Sequence, residues 1–425
     1  MQIDLLIHSA AQLVTCAAQE GTAKRGAMMR DVGLIQDGGV AVQDGVIIAA
    51  GASAQLCAEY TAARTIDAAG KVVCPGFVDP HTHVVYAGNR IDEFEMRISG
   101  ASYMEIMEAG GGIVSTMEAV RTASLGQIVE QTRARLDNML RHGTTTAEVK
   151  TGYGLDTASE LKLLAAVETL DASHPIDLIP TFMGAHALPP EYAGCTDDYV
   201  TLVVEEMLPQ AVIWYQQSRF AERGVPFFVD VFCEQNAFDV AQSRRVLEAG
   251  KALGLQVKAH VDEFTPLGGL RMAVELGAVS VDHLDVTPPD EFALIAASDT
   301  IGVIIPTVNF NLGSAHFAPG RAMLDAGIAL ALTTDINPGS APCPSMPMAM
   351  AIACRYQHLL PSEALTASTI NAACAVGMGA RIGSIEVGKP ADILILNTSD
   401  YRYLAYQFGG NLVESVYKRG EMVVG

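Results

Sequence analysis

Hydrophobic and polar positions along the chain fall into two regimes. Up to about residue 70 the apolar runs are short and broken by turn residues: 4–15, 39–50 around the Asp44-Gly45 pair, and 65–73 around Gly70. Short runs bounded by Gly and Asp predict strands joined by turns. The polar stretch 17–30 between them predicts a solvated loop. From Val72 to about Gly383 apolar runs alternate with amphipathic stretches at helical spacing, the signature of successive βα units on a parallel sheet. Eight strands are predicted, at 72–83, 144–153, 177–186, 227–234, 256–263, 278–285, 301–307 and 328–337. Helices are predicted between most of them, at 125–141, 158–170, 199–223, 239–253, 267–276, 290–297 and 321–326, and a long apolar stretch, 346–360, follows the last strand. Strands return at 391–397, 411–417 and 421–424. Neither terminal segment has enough strands to bury a face alone. The expected architecture is therefore α/β: a (β/α)8 TIM-like barrel over 72–385, with a small β-sandwich built from 1–71 and 386–425.

Active sites of such barrels lie at the carboxyl ends of the strands. Those ends hold His81 and His83, Tyr153, His186, Cys233 and Glu234, His260 and Glu263, His283, and Asp335. Five of the chain's ten histidines are in that set, a concentration that packing does not require. Side chains two apart on a strand share a face, so His81 and His83 can both reach one metal ion. Taken alone, that pair reads equally well as two surface histidines at a strand end.

Composition narrows the field. With 50% hydrophobic and 18% charged residues the chain can bury a sizeable core, and disorder is excluded. A net charge of −21, from 27 Lys and Arg against 48 Asp and Glu, argues against nucleic acid and anionic membranes as partners. The opening Met1-Gln2-Ile3-Asp4-Leu5-Leu6-Ile7-His8 has no basic segment before its apolar residues. Eight scattered cysteines without a Cys-x-x-Cys pair suit reduced thiols. A soluble cytoplasmic protein is expected.

The strand-end set of His-x-His, His260, His283 and Asp335, together with the closing Gly388-Lys389-Pro390-Ala391-Asp392, resembles the amidohydrolase superfamily of metal-dependent hydrolases. Within it the chain is most similar to the imidazolonepropionase family. The resemblance rests on 75–83, on Gly110-Gly111-Gly112-Ile113-Val114-Ser115-Thr116, on 141–154 and 180–186, on His260-Val261-Asp262-Glu263-Phe264, and on Asp335-Ile336-Asn337-Pro338-Gly339-Ser340. It implies hydrolysis of the cyclic amide of 4-imidazolone-5-propanoate, a small anionic substrate, to N-formimidoyl-L-glutamate in histidine degradation. A homodimer is implied as well.

The same resemblance assigns roles. His81, His83, His260 and Asp335 match the family's metal ligands, a shell suited to Zn²⁺ or Fe, and one divalent or trivalent ion per chain is expected. Many relatives hold a second metal through a modified lysine on the fourth strand, which here ends Phe232-Cys233-Glu234; Lys150, on the second, reads as a solvated or hydrogen-bonded lysine. Asp335 would relay the proton of the attacking water, His283 stabilise the oxyanion or else make a hydrogen bond behind the ligands, and Glu263 bond a ring nitrogen or else cap the following helix. Arg90 would grip the propanoate bidentately, with Tyr153 donating its hydroxyl and His186 alongside. Asn337, Gly339 and Ser340 match a loop that touches substrate or product, although such a turn needs Asn and Gly for its own geometry. Where the family's seventh strand leads into paired aromatics, this chain reads Pro306-Thr307-Val308-Asn309-Phe310-Asn311-Leu312, so one pocket wall is expected to differ.

Two other readings share these residues. An aminohydrolase of a guanine- or cytosine-like base would keep the ligands, Glu263 and His283, but would give Arg90 and Tyr153 no carboxylate to hold. A non-catalytic scaffold would have no use for an intact ligand set.

Overall fold

The computed structural model describes residues 1–101, 105 and 111–425; Gly110 of the glycine triplet lies outside them. The chain opens with β1 (Gln2–Val14), β2 (Leu34–Gln43), β3 (Val46–Ala52), β4 (Thr61–Asp67) and β5 (Val72–Pro75). Eight strands follow: β6 (Phe77–Asp79), β7 (Thr144–Lys150), β8 (Asp177–Ala185), β9 (Phe228–Cys233), β10 (Gln256–Val261), β11 (Ser280–His283), β12 (Ile301–Ile304) and β13 (Leu330–Leu332). The chain ends with β14 (Ile393–Leu396), β15 (Val413–Lys418) and β16 (Glu421–Val424).

The terminal strands form one mixed sheet, ordered β16-β15-β14-β5-β1-β2-β3, with β4 also on β1. The expected sandwich is thus a sheet that forks. Gln2 to His8 of β1 pair in parallel with β4, while Gln12 and Leu13 pair in parallel with β5. The turn at Gly70 therefore passes the chain along β1 instead of closing a hairpin. β14 lies antiparallel to β5, which inserts the C-terminal strands beside the N-terminal ones. Leu5, Ile7, Leu13, Val40, Ile47, Ile393 and Ile395 fill the core of this sheet.

Gly76 is where the predicted strand 72–83 divides. Its amide donates to Asp392 O, and a Cβ there would lie 2.2 Å from Thr145 Oγ1. Val72–Pro75 consequently stays in the terminal sheet and Phe77–Asp79 enters the barrel. The barrel strands run in sequence order from β6 to β13, all parallel. β7 is buried along its whole length, as expected of a strand covered on both faces. At the seam between β13 and β6, the buried Asp79 carboxylate accepts from both Thr333 and Thr334 hydroxyls and from Thr334 N–H. Beyond the seam His83 N–H donates to Ile336 O at 3.0 Å.

The helix predicted at 125–141 is Leu125–Arg141, started by a reciprocal Ser124–Gln127 capping box, an arrangement worth about 1 kcal/mol. The one predicted at 199–223 is broken: Thr196–Leu202, a π-turn over Val203–Met207, Leu208–Gln217, then Arg219–Glu222 capped by Ser218. Pro209 has no amide hydrogen to continue the regular ladder, and the turn widens before it. The polar stretch 17–30 is solvated in part, with Gln19, Glu20, Thr22, Met28 and Arg30 exposed, and is also strapped to the barrel. Lys24 N–H donates to Asn371, Arg25 reaches Ala296 O and Ser298 O, and Met29 is buried. Among the described residues no helix is long and apolar enough to cross a membrane.

Candidate active site

β6 ends at Asp79, yet the chain stays extended beyond it, because Lys150 N–H bonds Thr82 O and His83 N–H bonds Ile336 O. His81 and His83 are thereby held on one face at the barrel's carboxyl rim. His81, His83 and His260 lie close enough to share one ion, as do His81, His283 and Asp335. His83 Nε2 is 3.2 Å from His260 Nε2, and Asp335 Oδ1 is 3.5 Å from His81 Nε2 and 3.9 Å from His83 Nε2. His81 Nε2 and Asp335 Oδ1 are buried without any protein partner. His81 and His260 turn their Nδ1 atoms to carboxylates, Asp282 at 2.6 Å and Asp230 at 3.1 Å, which leaves both Nε2 atoms as bare lone pairs. Burial holds the His81 and His83 imidazoles neutral, well below their ordinary pKa. Burial, with Asp79 nearby, drives the Asp335 carboxyl well above its own. Neutral imidazoles around a carboxylate that lacks a counter-charge are a donor set suited to a metal cation. The arrangement is a candidate metal site.

Beneath the ligands lies a charged layer. Lys150, fully buried, is 2.9 Å from Glu148, 2.6 Å from Asp230 and 3.5 Å from Asp282. Lys258 pairs with Glu148 and donates to Pro80 O at 2.8 Å. Burial alone would lower the Lys150 ammonium; Asp230, Glu148 and Asp282 outweigh it and keep the charge. Lys150 is thus hydrogen-bonded, as one of the readings from sequence had it, but it is not solvated. Its ammonium fills the space between Asp230 and Asp282, which with His260 form the remaining cluster of metal-binding side chains among the described residues.

A narrow cavity above the ligands is lined by Arg90, Ile113, Tyr153, His186, Phe232, Glu263, His283, Asn337 and Ser340. Arg90 presents its Nε and Nη2 atoms to Glu93 at 2.8 and 2.6 Å, so the end of the fork, Nη1 with the second Nη2 hydrogen, remains for a ligand. Tyr153 is buried, its hydroxyl held protonated by burial and by Asp335. His186 contacts Gly152 O through Nδ1 at 3.0 Å and stacks on His83, centroids 4.6 Å apart at 17°. Glu263 Oε2 lies 3.7 Å from His283 Nε2, and burial, followed by Asp285 and Asp335, raises its carboxyl well above the ordinary range. Glu263 does not cap the next helix. Glu234 takes the Phe264 and Thr265 amides, and that helix begins only at Gly269. Asn337 spends its side chain on its own turn, donating to Asp335 O and Ser340 Oγ and accepting from the Gly339 and Ser340 amides. His283 (φ 84°) and Asp335 (φ 46°) occupy the left-handed region, a strain of about 1–3 kcal/mol each that clusters at functional sites.

After β12 the chain turns into the helix Pro306–Asn311. Asn309 donates to Asp285 at 2.6 Å, Thr307 to Thr334 O, and Phe310 faces outward. This segment holds an Asn–Asp bond, and none of residues 306–312 is among those that line the cavity. Sequence reading missed Glu93, Glu148, Asp230, Lys258 and Asp282. The available signal was a charged residue at period two within an apolar strand, as in Glu148-x-Lys150 and Lys258-x-His260, where no solvated face exists to receive it.

Comparison with known proteins agrees with this geometry. The amidohydrolase family model matches residues 72–423. The chain is 58% identical to the imidazolonepropionase of Chloroflexus aggregans over 99% of this chain and 98% of that one. It is 54% identical to the imidazolonepropionase of Herpetosiphon aurantiacus, covering 94% and 93%. Among solved structures, an adenosine deaminase from Xanthomonas campestris with bound Zn superposes with a TM-score of 0.70 over 100% of this chain and 93% of that one, at 21% identity.

Proposed function

The chain belongs to the amidohydrolase family and, within it, to the imidazolonepropionases, and from that premise we propose that it opens the ring of 4-imidazolone-5-propanoate to N-formimidoyl-L-glutamate in histidine degradation. The observation that carries the reading is one cavity with both a converging set of metal-donor atoms, His81 Nε2 and Asp335 Oδ1 among them without a hydrogen-bond partner, and a guanidinium end left open for a carboxylate. A neutral purine or pyrimidine base would bring no carboxylate to that open end.

His81, His83, His260 and Asp335 would hold one ion per chain, Zn²⁺ or Fe; when bound, it supplies Lewis acidity toward water and the lactam carbonyl. Arg90 binds the propanoate through its open end, and the Tyr153 hydroxyl, kept protonated, donates to the same carboxylate. His186, its Nδ1 engaged by Gly152 O, turns Nε2 toward the ring. Asp335, beside the place where water would be activated, takes the proton from the attacking water. His283 donates a ring N–H to the oxygen on which negative charge develops. Glu263 exchanges a proton with the ring nitrogen that departs, a task suited to a carboxyl held well above its ordinary range.

Purified protein should contain about one Zn or Fe per chain by elemental analysis and should abolish the ultraviolet band of freshly prepared imidazolone propanoate. Thorough chelation should remove that activity and metal return it. Equal turnover of guanine or cytosine, or undiminished activity in the chelated protein, would sink the reading.

A further inference from the structure

An Arg–Glu pair at i and i+3 on a helix is ordinarily a solvated decoration worth little. Arg90 and Glu93 are placed otherwise. Their side chains are 15% and 8% exposed, and the contact is two-pronged, Nε to Oε1 at 2.8 Å and Nη2 to Oε2 at 2.6 Å. Glu93 Oε1 also accepts the Gly112 amide at 2.9 Å, from the segment that leads into the helix Ile113–Thr122, whose Ile113 lines the cavity. Gly339 also stands against the guanidinium: a Cβ there would lie 2.2 Å from Arg90 Nη1 and 2.6 Å from Cζ. The guanidinium is thus held along its Nε–Nη2 edge and lies close to bare backbone at Nη1.

We propose that Glu93 is a positioning residue for the reaction, and that with Gly339 it fixes Arg90 so that the carboxylate of the substrate is read through one guanidinium edge at a set place in the cavity. This rests on the imidazolone reading above. Glu93 bonds Arg90, the Gly112 amide and the Ser115 hydroxyl, and does not line the cavity. Its effect should therefore fall on binding present in both ground and transition states, a change in KM with kcat retained. A structural prop would instead alter both parameters and act on any substrate.

The test compares imidazolone propanoate with the corresponding propanamide, which has the same ring and chain length but no charge. Glu93→Gln keeps the shape but replaces one acceptor oxygen with a donor. It is expected to raise KM for the propanoate by at least about tenfold, the scale of one charge-assisted hydrogen bond, with kcat within about threefold and KM for the propanamide unchanged. Glu93→Asp keeps the charge but shortens its reach to Nε and Nη2; it should give the same pattern. Melting temperature and metal content are measured for both, and if Glu93→Gln does not fold, Glu93→Asp alone decides. Equal KM increases for both substrates, or a fall in kcat with KM retained, would overturn the proposal while leaving the activity in place. A wild-type protein inert toward imidazolone propanoate would overturn the functional reading and this inference together.

Discussion

At the scale of single residues the site is an exercise in paired protonation states. His81 and His260 each give one nitrogen to a carboxylate and so keep the other bare, which makes tautomer choice part of metal affinity. Asp335→Ala and His81→Ala should each bring metal below about a tenth of an equivalent per chain while circular dichroism is retained. His283→Asn should leave metal content near wild type and lower kcat by about a hundredfold or more, the usual cost of losing one oxyanion donor. Arg90→Ala should raise KM far more than His142→Ala, because His142 lies at a helix end, its Nδ1 at 2.8 Å from Asn138 O. Equal effects from the last two would remove Arg90 from the carboxylate site. The candidate ligands were legible as His81, His83, His260 and Asp335 at strand ends. Glu93 was not, since its partners Arg90 and Gly112 are ordinary neighbours until the fold buries them.

At the scale of elements, β7 carries two charged residues and β9, β10 and β11 one each, and these assemble into the layer of Glu148, Lys150, Asp230, Lys258 and Asp282. Buried carboxylates without their ammonium are costly, and groups behind metal ligands set how firmly those ligands are held. Lys150→Met should therefore weaken metal binding by about tenfold or more in a competition titration and destabilise the fold by roughly 3–5 kcal/mol. Unchanged metal affinity in the variant would show that the layer serves packing only. Strand order could be counted from the apolar runs, but which strand's polar residue meets which depends on register. Neither composition nor spacing fixes that.

At the scale of the whole molecule, Asp177 at the start of β8 ties the barrel to the terminal sheet. It pairs with Lys418 at 2.8 Å and with Arg419 at 2.7 Å. Burial alone would raise its carboxyl, but Lys418 and Arg419 overcome this and hold it at about 2. An unfolded aspartate titrates near ~3.9, so the folded value is the depressed one. The contribution is whole above about pH 4 and is lost as pH falls toward 2, on the order of 2 kcal/mol. Asp177→Asn should be less stable than wild type by that amount in denaturant titrations at pH 7, with the gap narrowing at pH 3. A gap independent of pH would mean that the carboxylate's charge is not what joins the two sheets.

The sequence by itself determined the alternation of eight strands with helices, the return of strands at the C-terminus and the residues that arrive at one barrel rim, because a period of two or 3.6 and the direction of a parallel strand are local properties of the chain. Only the tertiary structure decided that Val72–Pro75 leaves the barrel for the terminal sheet, that Lys150 is buried between carboxylates, and that Glu93 pairs with Arg90 next to Gly339. Those outcomes depend on which distant groups are desolvated together, and desolvation is a property of the packed molecule that no stretch of sequence carries alone.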